Sequence, residues 1–183
     1  LNKIKTILHH IKRGDIYEVN YCMEWFSENS LINPKNIYNS LNKISKTPMS
    51  AFFKQNNIYL LSTSPERFIK RIGNKIITQP IKGTCRRDSN KALDLKLKNE
   101  LSSNPKERSE NIMIVDLVRN DLSRFSLPGT VKVSELCEVY PFKQVHQMIS
   151  TVESEIENKL SIAEIIKSTF PMGSMTGAPK VKA

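Results

Sequence analysis

Apolar residues recur along this chain at two periods, one near 3.6 residues and one near two, and the switches between them mark its elements. Ile4, Ile7, Leu8 and Ile11 share one face at helical spacing, and Gly14 is a fitting stop. Residues 16–26, rich in β-branched and aromatic types, read as a strand. Asn33-Pro34 is a cap followed by a first-turn proline and opens a helix carrying Ile37, Leu41 and Ile44. Alternation then predicts strands at 50–54 and 58–63, and a hairpin of 67–72 with 75–81 around Gly73-Asn74. From about 88 to 124 the pattern is helical, broken near Asn104-Pro105. Strand patterns return at 130–140 and 144–156, and Ser161 with Glu164 forms a capping box ahead of Ile165 and Ile166. Clustered strands with inserted helices predict an α+β fold with antiparallel sheet, in one compact unit.

Composition narrows the functional classes. Hydrophobic residues make up 39% and charged residues 25% of the 183, the balance of a folded globular chain. No apolar run approaches the roughly 20 residues that cross a bilayer, and no signal peptide opens the chain, so a cytoplasmic protein is expected. The net charge of +10 would suit nucleic acid, a membrane surface or an anionic substrate. The lysines are scattered among Asn, Ile and Ser without a basic block, which argues against nucleic acid. Cys22, Cys85 and Cys137 lie far apart with no C-x-x-C spacing, and read as small buried or half-buried hydrophobes. Leu1 begins inside a helical pattern and residues 177–183 look like a helix just starting, so the natural chain is expected to continue past Ala183.

Four segments hold residues suited to chemistry. Ser64-Pro65-Glu66-Arg67 lies between two strands; a glutamate there can act as a general acid if burial lifts its pKa, though a surface turn has the same pattern. Gln79-Pro80-Ile81-Lys82-Gly83-Thr84 runs a strand end into a glycine that lets backbone approach a ligand. Its Lys82 is an anion clamp, a nucleophile, or one more solvated charge. In residues 110–121 the polar Glu110, Asp116, Arg119, Asn120 and Asp121 surround an apolar centre in which Ile112, Val115 and either Arg119 or Leu122 share a helix side; any charge buried there must pair or bind a metal. Finally, Pro171 to Lys180 places two glycines and two hydroxyls before a helix start, where free N–H groups attract anions; the spacing is not that of a Walker A loop.

Individually these signals are weak, but their combination and order closely resemble the chorismate-utilising enzymes: anthranilate synthase component I, aminodeoxychorismate synthase component I, isochorismate synthase and salicylate synthase. The likeness rests on six blocks, namely 14–20, Ser64-Pro65-Glu66-Arg67-Phe68, Pro80-Ile81-Lys82-Gly83-Thr84, 110–124, 145–151 and 170–183. It implies that residues 1–183 are an incomplete chorismate-binding catalytic domain, part of a large α/β sandwich of two antiparallel β-sheets flanked by helices. Lys82 stands where anthranilate synthases typically carry alanine, and so resembles the enzymes that make 4-amino-4-deoxychorismate for para-aminobenzoate and folate. There the resemblance implies that the lysine attacks ring carbon 2 as the 4-hydroxyl departs, and that ammonia then adds at carbon 4. A free lysine, with a pKa of about 10.4, is almost wholly charged at neutral pH, so burial or a nearby cation is expected to release its amine.

By the same resemblance, Glu66 is the acid that protonates the leaving hydroxide and Glu110 is a ligand of Mg²⁺. His146 lies near the substrate carboxylate and enolpyruvyl group, more for positioning than for acid–base work. Gly83, Thr84, Gly173, Ser174, Thr176 and Gly177 contact substrate, and a separate glutamine amidotransferase supplies ammonia. Glu18 occupies the position at which isochorismate and salicylate synthases carry a water-activating lysine, which argues against both; Glu18 itself is read as structural. The further metal glutamates and the tyrosine and arginine contacts of the family would lie beyond Ala183, so residues 1–183 alone are expected not to turn over chorismate. Two other readings stand: an anthranilate synthase with an atypical lysine, and a non-catalytic binding module.

Overall fold

The computed structural model describes residues 2–183, which divide into two compact units, Cys22–Arg67 and the segment ending at Tyr21 together with Phe68–Ala183. In chain order the elements are α1 (Asn2–Arg13), β1 (Glu18–Val19), α2 (Pro34–Ser45), β2 (Met49–Gln55), β3 (Ile58–Ser64), β4 (Arg67–Ile72), β5 (Lys75–Gln79) and β6 (Ile81–Arg86). They continue with α3 (Lys91–Ser103), α4 (Pro105–Ser123), β7 (Lys132–Pro141), β8 (Val145–Glu155), α5 (Ile162–Thr169), a 3₁₀ turn at Gly173–Met175, and β9 (Gly177–Ala178). Among the described residues no helix is long and apolar enough to cross a membrane.

The smaller unit is a hairpin with a helix. β2 and β3 pair antiparallel from Met49↔Ser64 to Gln55↔Ile58, and α2 packs on β3. Asn33 caps α2 by accepting a hydrogen bond from the Asn36 N–H at 3.0 Å, with Pro34 at the first helical position as the sequence predicts. Cys22 belongs to this unit and is exposed, unlike half-buried Cys85 and buried Cys137.

In the larger unit the eleven-residue β8 is the central strand of a five-stranded antiparallel sheet. β7 runs along one edge of β8, while β5 and β6 share the other: β5 pairs with residues 152–155 and β6 with residues 145–149. Pro80 divides these two strands, because it has no N–H to give the ladder; its carbonyl still accepts from the Ser150 N–H at 3.2 Å. One face of the sheet carries α3 and α4. Ile114, Val115, Val118 and Leu122 of α4 pack with Ile76, Val152, Ile156 and Ile165 in the main core. Each such side chain contributes roughly 1.5–3 kcal/mol by leaving water.

The single compact unit and the buried or half-buried Cys22 expected from the sequence are not found, because residues 22–67 gather around their own hairpin and leave Cys22 exposed. The buried stripe of α4 is Asn111, Ile114, Val115, Val118, Asp121 and Leu122, so Val115 and Leu122 of the expected face are buried, whereas Ile112 and Arg119 are exposed and the helix is turned toward Asn111 and Ile114. Of residues 16–26 only Glu18–Val19 is strand, pairing with β9. This segment lacks the partner ladder that would extend it, and strand propensity alone does not make a strand.

Candidate functional site

Lys82 owes its position to a bulge. The pairing of β6 with β8 slips between Ile81 and Thr84, and Gly83 sits at φ 97°, a conformation that favours glycine. A Cβ on Gly83 would also stand 3.2 Å from the Met148 Cβ and 3.3 Å from the Glu107 Cβ, tighter than packing ordinarily allows. The Lys82 carbonyl is fixed from behind by Asn111, whose Nδ2 donates to Lys82 O and Met148 O, each at 3.2 Å. The Asn111 Oδ1 accepts from the Ser150 hydroxyl, which in turn accepts from the Cys137 N–H at 2.9 Å. One buried amide thus joins β6, β7 and β8 to α4. The sequence held a signal for it: Asn111 lies three residues before Ile114 and four before Val115, on the apolar stripe, and a polar residue there must find partners.

The Lys82 amine donates to Glu18 Oε1 on β1, and the two side chains are only 16% and 18% exposed. The neighbour is therefore a carboxylate, where a cation or an apolar pocket was expected. The second oxygen, Glu18 Oε2, is buried without a hydrogen-bond partner.

β1 also holds the glycine-rich segment. Glu18 pairs with Ala178 and Val19 with Gly177, the Tyr17 N–H donates to Ala178 O at 2.7 Å, and the Asn20 Nδ2 donates to Ser174 O at 2.8 Å. A Cβ on Gly177 would come within 2.3 Å of Glu18 O, and one on Gly173 within 2.2 Å of Leu117 Cδ2, so both glycines serve close approach. Thr176 turns its hydroxyl back to Gly173 O at 3.1 Å, while the Ser174 hydroxyl is buried and has no partner. Thr84 is exposed. Through β1 the structure brings together Lys82, Glu18 and the Gly173–Gly177 segment. Beyond Pro179 the chain forms a turn, with the Lys182 and Ala183 N–H groups donating to Pro179 O. Lys180 is consumed internally by Asp121 Oδ2 at 2.7 Å and Thr169 O at 2.6 Å. A groove of about 380 Å³ opens between this turn and α4, lined by Tyr17, Met113, Leu117, Arg124 and Val181 among others, and Lys82 takes no part in it.

His146 is found elsewhere. It is buried, it pairs across strands with Cys85, and its Nε2 lies 2.9 Å from Asp94 Oδ1 in the first turn of α3. Two Arg87 hydrogen bonds of 2.8 Å hold the Asp94 carboxyl well below the usual carboxylate range. No described contact links His146 to Lys82. Glu66 belongs to the smaller unit, where its N–H donates to the Ser64 hydroxyl at 3.2 Å, the reason for serine two residues before it. Glu110 is half-buried on α4, next to Asn111, with Lys106 at 3.3 Å. It offers the hard oxygen that Mg²⁺ prefers, but among the described residues no three His, Cys, Asp or Glu side chains gather into a metal site.

The model of the chorismate binding enzyme family matches residues 1–183. The chain belongs to that family. It is 40% identical over 181 residues to aminodeoxychorismate synthase component 1 of Klebsiella aerogenes, a match covering 99% of this chain and 40% of that protein. It is 33% identical over 174 residues to anthranilate synthase alpha subunit 1 of Arabidopsis thaliana, covering 95% of this chain and 29% of the relative. Among solved structures, anthranilate synthase component I of Streptococcus pneumoniae TIGR4 superposes with a TM-score of 0.78 at 27% identity, over 98% of this chain and 39% of that one. The chain thus spans about two-fifths or less of these relatives. The chorismate-binding fold and the antiparallel sheet expected from the sequence are both present.

Proposed function

We propose that the full-length protein aminates chorismate to 4-amino-4-deoxychorismate, with Lys82 as a transient nucleophile. The supporting observation is an amine drawn out of open water by a glycine bulge, in a block that has lysine where direct amination at carbon 2 would need none. The relatives named aminodeoxychorismate synthase component 1 favour this reading by their identity over nearly the whole chain.

In the proposed reaction the Lys82 amine bonds to ring carbon 2, the two ring double bonds shift, and the carbon 4 hydroxide leaves as water with a proton from Glu66. Ammonia then bonds to carbon 4, the double bonds shift back, and Lys82 departs from carbon 2. The backbone of Gly83 and of the Gly173–Gly177 segment, with the Thr84, Ser174 and Thr176 hydroxyls, would orient the substrate. His146, held by Asp94, would act by position. Glu110 would contribute one carboxylate to Mg²⁺, which when bound neutralises and fixes the substrate carboxylate. A glutamine amidotransferase would deliver the ammonia, in the cytoplasm.

Product analysis tests the proposal. Full-length protein given chorismate and ammonium should yield a product that keeps the enolpyruvyl group, and Lys82→Ala should reduce its formation at least about a thousandfold. Anthranilate, formed at an equal rate by both proteins, would instead support the second reading, which the anthranilate synthase relatives favour. No chorismate-dependent product from either protein would leave only a binding module.

A further inference from the structure

The carboxylate beside Lys82 has no part in the scheme above, although a nucleophilic amine must lose a proton before it attacks and regain one when it leaves. We infer that Glu18 is the proton acceptor and donor for Lys82, shuttling one proton between its carboxylate and the lysine amine in each cycle. This rests on the amination proposed above.

Three observations converge on Glu18. Its Oε1 accepts directly from the Lys82 amine. Its backbone is held in β1 by pairing with Ala178, and Gly177 lies so close beneath that no Cβ fits, so the strand that presents the carboxylate is fixed beside the amine. Its Oε2 is buried with no partner, which leaves a lone pair free to take a proton while Oε1 keeps the lysine in place.

The ammonium of Lys82 gives one proton to Glu18, whose carboxylate becomes a carboxylic acid. The neutral amine uses its lone pair to bond to carbon 2, forming a secondary ammonium, while the carbon 4 hydroxide takes a proton from Glu66 and leaves as water. When ammonia bonds to carbon 4, the carbon 2–nitrogen bond breaks with its electron pair returning to Lys82. Glu18 returns its proton to that amine, and the new ammonium at carbon 4 gives one proton to Glu66. Chorismate and ammonia are consumed, aminodeoxychorismate and water are formed, and every side chain ends as it began.

The test is single-turnover formation of the Lys82–chorismate adduct in the full-length protein without ammonia, followed by mass spectrometry from pH 6 to pH 9. Glu18→Gln keeps the shape and a hydrogen-bonding group but cannot hold the proton. It should slow adduct formation about a hundredfold at neutral pH. Its rate should also climb with pH, up to about tenfold per unit, as solvent hydroxide takes over, while the wild type stays flatter. Glu18→Asp should recover part of the rate, and circular dichroism should show both variants folded. Adduct formation by folded Glu18→Gln at the wild-type rate and with the wild-type pH profile would overturn the inference alone. Absence of any Lys82 adduct in the wild type would overturn the amination proposal and this inference with it. A slow, folded Glu18→Gln whose pH profile parallels the wild type would also reject proton transfer, since a merely structural role moves the rate without changing its pH dependence.

Discussion

Lys82 and Lys180 each pair with a carboxylate inside the larger unit, yet the two pairs are built differently. Lys180 donates to Asp121 Oδ2 and to the Thr169 carbonyl, tying the end of α5 to α4 and to the final turn. Lys82 has one described acceptor, on a two-residue strand, and sits on a bulge that glycine permits. Asp121 also keeps one unbonded oxygen, with Arg124 3.9 Å away, so the contrast lies in the lysines rather than the acids. A lysine whose donors are spent on structure is a clamp. One with donors to spare, beside a carboxylate with an oxygen to spare, is available to a ligand.

Breaking the clamp should have the largest effect on stability. Asp121→Ala leaves the Lys180 ammonium buried, 11% exposed, with a lone carbonyl, and should cost about 3–5 kcal/mol in urea denaturation of the full-length protein. Burial already pushes the Asp121 carboxyl up against the pull of Lys180. Lys82→Ala should cost less than Asp121→Ala, since its pair retains more solvent, while removing the chemistry. The reverse order of the two losses would mean that the Lys82 pair is the structural one.

Asn111 fixes the strand that presents Lys82. Asn111→Ala strands the Lys82 and Met148 carbonyls and the Ser150 hydroxyl, and should cost about 2–4 kcal/mol by the same denaturation measurement. A loss below about 0.5 kcal/mol would mean that solvent fills the gap.

The smallest effect concerns Asp94. Arg87 depresses its folded pKa, so its stabilising contribution is complete above the unfolded value of about 3.9 and is lost as pH falls through the lower folded value. Asp94→Asn should therefore be less stable than the wild type at pH 7, with the gap narrowing as pH drops from about 4 toward 2. A gap independent of pH would remove Asp94 from the acid response.

Much of this architecture was legible in the residues. The Asn33-Pro34 cap, the Gly73-Asn74 hairpin, the Asn104-Pro105 break and the Ser161–Glu164 box all specify local geometry through side-chain hydrogen bonds or restricted dihedrals, and each occurs as read. What stayed hidden depends on long-range placement. The phase of α4 escapes the apolar pattern because Ile112 is apolar yet exposed, whereas Asn111 is polar yet buried and bonded to three strands. Residues 16–26 look like strand, but only β9 offers them a partner, for two residues. The Glu18–Lys82 contact joins residues 64 positions apart, and no local pattern encodes it.

The bond proposed between the Lys82 amine and chorismate has a direct signature in mass. Full-length protein incubated with chorismate and without ammonia should carry the mass of chorismate less one water on the peptide containing Lys82, and ammonium should discharge it. An unmodified peptide, under conditions in which the same sample later aminates chorismate, would contradict the account.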